Sequence, residues 1–160
     1  MTMGQFWMPG ALGLLVLIFS TAGHAGGKFV APVTDAATQK ACGECHTAFP
    51  PGLLPARSWA ALLDDLSDHF GEDASLSMDQ AAHIKDYLVT HAGDAPGGQG
   101  LREFMRWVAP SGKPRRITEN PAFLRKHDFP ARVWQAPDVV TKSNCQACHA
   151  GAAQGWLDDD

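Results

Sequence analysis

The sequence has 160 residues, a formal net charge of −4 and 45% hydrophobic residues, which suits one or two small globular domains. The acidic balance of the chain argues against nucleic-acid binding, which requires a basic surface. The four cysteines fall into two widely separated pairs, and this pattern governs the functional interpretation.

The first 25 residues resemble a secretory signal peptide. The apolar run ALGLLVLIF occupies residues 11–19, and small residues follow it, so cleavage is expected after about Ala25. The segment before the run has no Lys or Arg, which departs from the usual pattern and leaves an uncleaved anchor as the alternative. We favour cleavage, because the run is short for a membrane span of about 20 residues. A periplasmic protein is therefore expected.

Two copies of a Cys-x-x-Cys-His motif follow, CGECH at residues 42–46 and CQACH at residues 145–149. This spacing is typical of covalent attachment of a c-type haem. The two thiols of a motif bind one edge of the macrocycle as thioethers, and the next residue supplies an imidazole to the iron. The predicted attachment residues are Cys42, Cys45, Cys145 and Cys148, and the predicted proximal ligands are His46 and His149.

Three other kinds of site also use paired cysteines. A four-cysteine zinc site has a much shorter gap between its pairs and leaves the two histidines without a role. A thioredoxin-like redox pair requires a βαβ context, and no period-two pattern lies near either motif. A disulfide within each motif would close a loop too small to contribute much stability. The sequence therefore predicts two covalently bound haem c groups.

The chain after the signal segment divides at GDAPGGQG, residues 93–100, a Gly- and Pro-rich stretch typical of a linker. One haem domain is predicted over residues 26–92 and a second over residues 101–160, with one motif in each. Segments this short rarely bury enough apolar surface to fold alone. Each haem is therefore expected to complete the core of its own domain.

The predicted fold class is mainly α with much loop. Apolar residues at helical spacing predict a helix over residues 55–70, before a glycine. A Ser-x-x-Gln capping box predicts a second helix over residues 77–92. Asn120, followed by a proline, predicts a short helix that continues to His127. No long alternating pattern predicts a sheet.

The residue on the far side of each iron decides its chemistry. A sixth His or Met ligand produces an electron carrier, whereas an open position permits gas binding or catalysis. The supply of histidines favours His, and His127 is the only candidate histidine after the linker. Before the linker, His69 lies at the edge of the apolar stripe, His91 lies in the last turn of its helix and His83 has polar neighbours. Periodicity leaves the choice between His69 and His91 open.

Four stretches of the sequence resemble the dihaem cytochrome c family of purple and related bacteria, and the resemblance extends over about residues 28–157. It implies two small haem domains joined by a linker, with two histidine ligands and a low potential at each iron. It also implies that His69 is the distal ligand of the first haem and His127 that of the second. The four stretches are ECHTAFPPGLLPARSW (44–59), HFGEDASL (69–76), RITENP (116–121) and SNCQACH (143–149).

The same resemblance implies electron delivery to a small oxygen-binding monohaem cytochrome c, of the type called sphaeroides haem protein. A membrane cytochrome b is the expected donor. The predicted function is thus electron transfer by a periplasmic dihaem cytochrome, not catalysis. The alternatives are a small gas-reactive or peroxidase-like haem protein with one five-coordinate iron, and a redox-sensing module.

Charge is unevenly distributed along the chain. Residues 26–98 contain 4 basic and 10 acidic side chains, a net charge of −6, and residues 99–160 contain 9 and 7, a net charge of +2. Negative surroundings stabilise ferric iron, so the first haem is expected to have the lower potential. The basic side chains of the second part are expected mainly to face solvent and attract the first part. A docking face for an acidic partner is the alternative.

Overall fold

The computed structural model describes Met1, residues 28–96 and residues 102–158. The predicted signal segment after Met1 and the second half of the predicted linker lie outside the described residues. Within the described part, the chain is mainly helical with long connecting loops, and pairing of extended segments is limited to isolated bridges. This agrees with the predicted fold class. None of the described helices combines the length and apolar character that a membrane span requires.

Six α-helices, with short 3-10 turns between them, make up the described regular structure. Two of the predicted helix starts are confirmed. Ser77 accepts a hydrogen bond from the Gln80 N–H in a full capping box, and the Asn120 side chain accepts one from the Ala122 N–H. The helices are α1 (Ala36–Gly43), α2 (Ala56–Leu63), α3 (Met78–Thr90), α4 (Arg102–Arg106), α5 (Pro121–Lys126) and α6 (Ala131–Trp134).

The helix predicted over residues 55–70 is shorter than expected, because α2 ends at Leu63. Asp65 adopts φ −139° and ψ 39°, outside the α-helical region, and a 3-10 turn follows at Leu66–Asp68. The Asp65 carboxylate accepts two hydrogen bonds from the guanidinium of Arg115. A long-range contact therefore holds the chain where local periodicity predicts a further helical turn, and His69 lies in a loop.

The first hydrophobic core lies between α2 and α3. Trp59 and Leu62 of α2 pack against Ile84 and Leu88 of α3, and all four side chains are buried. The indole N–H of Trp59 donates to the carbonyl oxygen of Pro51 at 2.7 Å, so the ring is buried without losing its hydrogen bond. This core fixes the position of the loop that follows α2.

The second core contains residues from both predicted domains. Val30 and Leu53 pack in one cluster with Phe104 of α4 and Phe123 of α5. Ile117 contacts this cluster and the first core as well. Burial of these side chains therefore joins the two parts of the chain.

The beginning of the described chain pairs with its end. The N–H of Val30 donates to the carbonyl oxygen of Gly155 at 2.8 Å, and the N–H of Leu157 donates to that of Lys28 at 2.9 Å. Gly155 has φ +90°, and a Cβ atom there would collide with the backbone of Val30, so glycine is required. This pairing places Lys28 beside the second Cys-x-x-Cys-His motif.

Candidate haem sites

The first motif begins on α1 and continues into the loop after it. Cys42 lies in the last turn of the helix, and His46 lies beyond the helix end. Asp35 caps the start of α1 by accepting a hydrogen bond from the Thr38 N–H at 2.7 Å. That bond, the one from the Thr38 hydroxyl and the contact with His83 lower the pKa of Asp35 to about 2. The cap therefore remains ionised throughout the neutral range.

His69 faces the proximal histidine of this motif. The ring centroids of His46 and His69 are 6.1 Å apart, and the ring planes differ by 17°. The loop around His69 has an unusual backbone, because Phe70 has φ +60° and Gly71 has φ +99°. The His69 N–H donates to the Glu72 carbonyl oxygen at 2.8 Å and closes this turn. A positive φ at Phe70 requires support from neighbouring groups.

The environment of His69 favours the neutral form of its ring. Burial lowers the pKa of His69, and the charges of His46, Arg115 and Arg116 lower it further. Neutral imidazole is the form that binds a metal ion. Its Nδ1 is buried and has no hydrogen-bond partner within the described part of the chain.

The other two candidate histidines of the first part lie elsewhere on α3 and have other partners. Nδ1 of His91, at the end of the helix, lies 2.8 Å from the carbonyl oxygen of Tyr87. Nε2 of His83 lies 3.0 Å from Asp35. The ring contacts described for His46 are with Phe49 and His69. The structure thus brings His69 to the first motif and directs His83 and His91 to surface contacts.

The second motif lies in a 3-10 turn near the end of the described chain. His127, at the end of α5, faces its proximal histidine. The ring centroids of His127 and His149 are 6.0 Å apart, and the ring planes differ by 77°. Nδ1 of His127 lies 3.1 Å from the Phe123 carbonyl oxygen, and Nδ1 of His149 lies 2.8 Å from that of Asp158. The structure therefore brings together the two predicted histidines of this part as well.

An apolar cavity opens between these two histidines. Its empty volume is about 740 Å³, which includes space open to solvent. Phe123 stacks on His127 with a centroid distance of 4.0 Å, and Trp134 lies 6.3 Å from the same ring. The cavity is also lined by the two motif cysteines, Cys145 and Cys148. It therefore fits a flat apolar macrocycle that is held at one edge.

The four motif cysteines form no disulfide, and burial raises the pKa of Cys42 and of Cys145. Among the described residues, no group of three or more His, Cys, Asp or Glu side chains converges as it would around a bare metal ion. The donor set of each motif instead consists of two thiols beside one opposed pair of imidazoles, which suits a haem.

Helical spacing places Phe123, four positions before His127, on the same helix face as that histidine. The sequence did not indicate the other aromatic and basic residues around these sites. Trp134 approaches from α6, for which the sequence predicted mostly loop. Arg115 and Arg116 reach His69 from the other part of the chain, and no local pattern indicates that contact.

Comparison with known proteins agrees with this geometry. The family described as "Dihaem cytochrome c" matches residues 38–157. No curated protein sequence matches the chain.

Solved structures extend the comparison to the fold. The diheme cytochrome c from Rhodobacter sphaeroides is 43% identical, with a TM-score of 0.71 over 79% of this chain and 99% of its own. A second structure, titled DHC purified from the same organism, is 43% identical, with a TM-score of 0.64 over 78% and 98%. The diheme cytochrome type c from Shewanella baltica is 38% identical, with a TM-score of 0.61 over 77% and 86%. The chain therefore belongs to the dihaem cytochrome c family and carries two covalently bound haem c groups.

Proposed function

We propose that the protein is an exported, periplasmic electron carrier in which each haem iron has two histidine ligands. The observation that carries this proposal is the ring separation, 6.1 Å for His46 and His69 and 6.0 Å for His127 and His149. Metal–nitrogen bonds of about 2 Å, with about 1 Å from each nitrogen to its ring centre, add up to roughly this separation. Each gap therefore suits one iron between two imidazoles.

The hydrogen bonds of the rings support the same assignment. Nδ1 lies within hydrogen-bond distance of a backbone carbonyl oxygen in His46, His127 and His149, at 2.7, 3.1 and 2.8 Å. A carbonyl oxygen only accepts, so Nδ1 carries the proton in these three rings. Nε2 is then the unprotonated nitrogen that binds a metal, and the Nδ1–H bond fixes the orientation of the ring.

Two ligands on each iron favour electron transfer over catalysis. The bound haem supplies one-electron chemistry, and the protein determines whether a position on the iron remains open. With an imidazole from His69 or His127 opposite each proximal histidine, neither haem would offer a site for a gas or a peroxide. Imidazole also lacks the potential-raising effect of a methionine ligand, so both potentials should be low. The gas-reactive alternative requires one iron without an opposed histidine.

Export is supported by the family, whose members are typically exported, and by the apolar run at residues 11–19. Attachment of haem to a Cys-x-x-Cys-His motif takes place outside the bacterial cytoplasm, so both features agree with a periplasmic protein.

A surface patch beside the second haem site suits an acidic electron acceptor. We define this basic–aromatic patch as Arg106, Trp107, Leu124 and Arg125. Trp107 is 45% exposed, and its ring lies 4.4 Å from the guanidinium of Arg125 and 5.2 Å from that of Arg106. Leu124 is 54% exposed on the same helix that ends at His127. Exposed Trp and Arg are typical of contacts between proteins.

The proposed acceptor is a small oxygen-binding monohaem cytochrome c of acidic surface, which would dock on this patch near the second haem. The proposed donor is a membrane cytochrome b. Both rest on the resemblance of the sequence to its family, and the patch supports the choice of an acidic acceptor.

The export proposal predicts the composition of the mature protein. The periplasmic fraction should contain a chain that begins near Gly26 and carries two haems that resist extraction with acidified acetone, because thioether bonds hold them. Intact mass measurement checks both features at once. A coloured chain that begins at Met1 and stays in the membrane fraction would instead support the uncleaved anchor.

The coordination proposal predicts that reduced wild-type protein does not bind carbon monoxide. Replacing His127 with Ala should open the second haem to one equivalent of the gas, and replacing His69 with Ala should open the first. Each variant removes one ligand and leaves the other site intact. Optical titration with carbon monoxide measures the stoichiometry at each haem.

His91→Ala is the matched control for the first site, because it also removes a histidine from the first part of the chain. It should leave both haems closed. If the wild-type protein binds carbon monoxide stoichiometrically, the gas-reactive alternative replaces the electron-carrier proposal. If His91→Ala opens the first haem and His69→Ala does not, His91 is the distal ligand.

The ring orientations predict different electron paramagnetic resonance spectra for the two ferric haems. The rings of His46 and His69 differ by 17°, so both donate into the same iron d orbital and split it from its partner. The rings of His127 and His149 differ by 77°, so they donate into both orbitals nearly equally. The first haem should give a rhombic low-spin spectrum and the second a single feature at large g. Two identical rhombic spectra would contradict these orientations.

The docking proposal predicts a loss of electron-transfer rate when the patch loses its charge. Arg106→Gln with Arg125→Gln should slow electron transfer to an acidic monohaem cytochrome c by roughly tenfold at low salt, and should weaken its dependence on salt. The control is Lys113→Gln with Arg132→Gln, which removes the same charge from exposed positions outside the patch. Stopped-flow absorbance measures both pairs, and equal losses would mean that net charge, not this patch, attracts the acceptor.

A further inference from the structure

The loop that carries His69 is held by a segment from the other part of the chain. We define the distal loop as residues 65–72 and the arginine segment as residues 115–119. Both terminal nitrogens of Arg115 lie 3.0 Å from one carboxylate oxygen of Asp65. The guanidinium of Arg116 lies 3.9 Å from the ring centroid of Phe70, the residue next to His69. The two arginines therefore hold the distal loop on both sides of the histidine.

The arginine segment is itself firmly placed. One carboxylate oxygen of Glu119 accepts hydrogen bonds from the backbone N–H groups of Arg115 and Arg116, at 3.2 and 3.3 Å. Its other oxygen accepts one from the side chain of Arg116 at 3.2 Å. Ile117, between them and Glu119, packs against both hydrophobic cores. The arginine segment is therefore fixed relative to both cores and can hold the distal loop in place.

The distal loop needs such support, because its backbone is not at a local minimum. Phe70 has φ +60° without being glycine, and such conformations persist only where surrounding contacts enforce them. The ring of Phe70 is 41% exposed, so burial in a core does not hold it. The guanidinium of Arg116 lies over this ring and is the described contact best placed to hold it.

We propose that Arg115 and Arg116 are positioning residues for the distal ligand of the first haem and that their positive charge raises the potential of that haem. The inference rests on the proposed ligation by His69. A nearby positive charge disfavours ferric iron, which carries one more positive charge than ferrous iron. Pairing with Asp65 and Glu119 reduces this effect, and loss of the two guanidinium charges would leave both carboxylates without these partners. The second part of the chain thereby tunes the first haem.

The test compares three forms of the two-haem protein: wild type, Arg115→Gln with Arg116→Gln, and Arg115→Lys with Arg116→Lys. Redox titration measures the potential of each haem, assigned from the spectra of His69→Ala and His127→Ala. The Gln pair should lower the potential of the first haem, leave that of the second unchanged and let carbon monoxide bind to a fraction of the first haem.

The Lys pair separates charge from position. Lysine retains the positive charge and lacks the planar fork that binds a carboxylate at two points and stacks on a ring. Its first haem should therefore keep a potential near that of wild type while becoming accessible to carbon monoxide. An equal fall in potential in the Lys and Gln pairs would overturn the electrostatic part of the inference. A first haem that remains closed in both pairs would overturn the positioning part.

Two further measurements separate this inference from the proposals on which it rests. Binding of carbon monoxide to the first haem of wild type would refute ligation by two histidines. If the wild-type haem binds none, and the variants match wild type in potential and in carbon monoxide binding, only the role of the arginines is overturned. Arg102→Gln with Arg132→Gln removes the same charge from exposed positions of the second part. An equal fall in the potential of the first haem in this control would also overturn the inference. An unchanged potential at the second haem shows that a variant is folded. If the double variant does not fold, Arg116→Gln alone is measured in its place.

Discussion

The structure depends on one constraint: each proximal histidine is faced by a second imidazole, at the ring separation that suits two bonds to one metal ion. The separations of 6.1 and 6.0 Å are nearly equal, although the facing histidines lie in different local structures. His127 ends a helix, where the Phe123 carbonyl oxygen accepts a hydrogen bond from the backbone N–H of His127 and also lies within hydrogen-bond distance of its Nδ1, which orients the ring. His69 lies in a strained loop that contacts from distant residues hold. Nearly the same ring separation is thus reached once by local and once by long-range structure.

This difference explains why the two parts of the chain cannot be treated as independent. A segment of about 60 residues buries too little surface to hold a loop in an unfavourable conformation by itself. Here the second core includes Val30 and Leu53 from the first part, and Ile117 contacts both cores. Arg57 adds polar contacts across the same boundary, donating to the carbonyl oxygens of Gly112 and Ala109 at 2.6 and 2.9 Å. Sharing a core therefore stabilises the first site as well as the second.

The sequence could predict the features that depend on local chemistry. The two haem motifs, the capping box of α3 and the Asn120 cap before His127 all follow from residue types at fixed spacing. It could not predict that α2 ends at Leu63, because the chain leaves the helix where Asp65 pairs with an arginine 50 positions away. For the same reason, helical periodicity could not choose between His69 and His91. The resemblance to the family selected His69, and the structure places that ring opposite His46.

We expect groups near each iron to influence the order of the two potentials more strongly than the net charge of each part of the chain does. Exposed charges are screened within about 10 Å at ordinary salt, so most of the negative charge of the first part acts weakly on its haem. Nδ1 of His127, which faces the proximal histidine of the second motif, lies within hydrogen-bond distance of the Phe123 carbonyl oxygen, and this bond would make the ring a stronger donor to iron and stabilise the ferric state at the second site. Nδ1 of His69 has no such acceptor within the described residues, and two arginines lie near it. These differences favour the lower potential at the second haem, opposite to the order expected from the sequence. The second haem would then be the stronger reductant, and its place beside the basic–aromatic patch suits the delivery of electrons to an acidic acceptor.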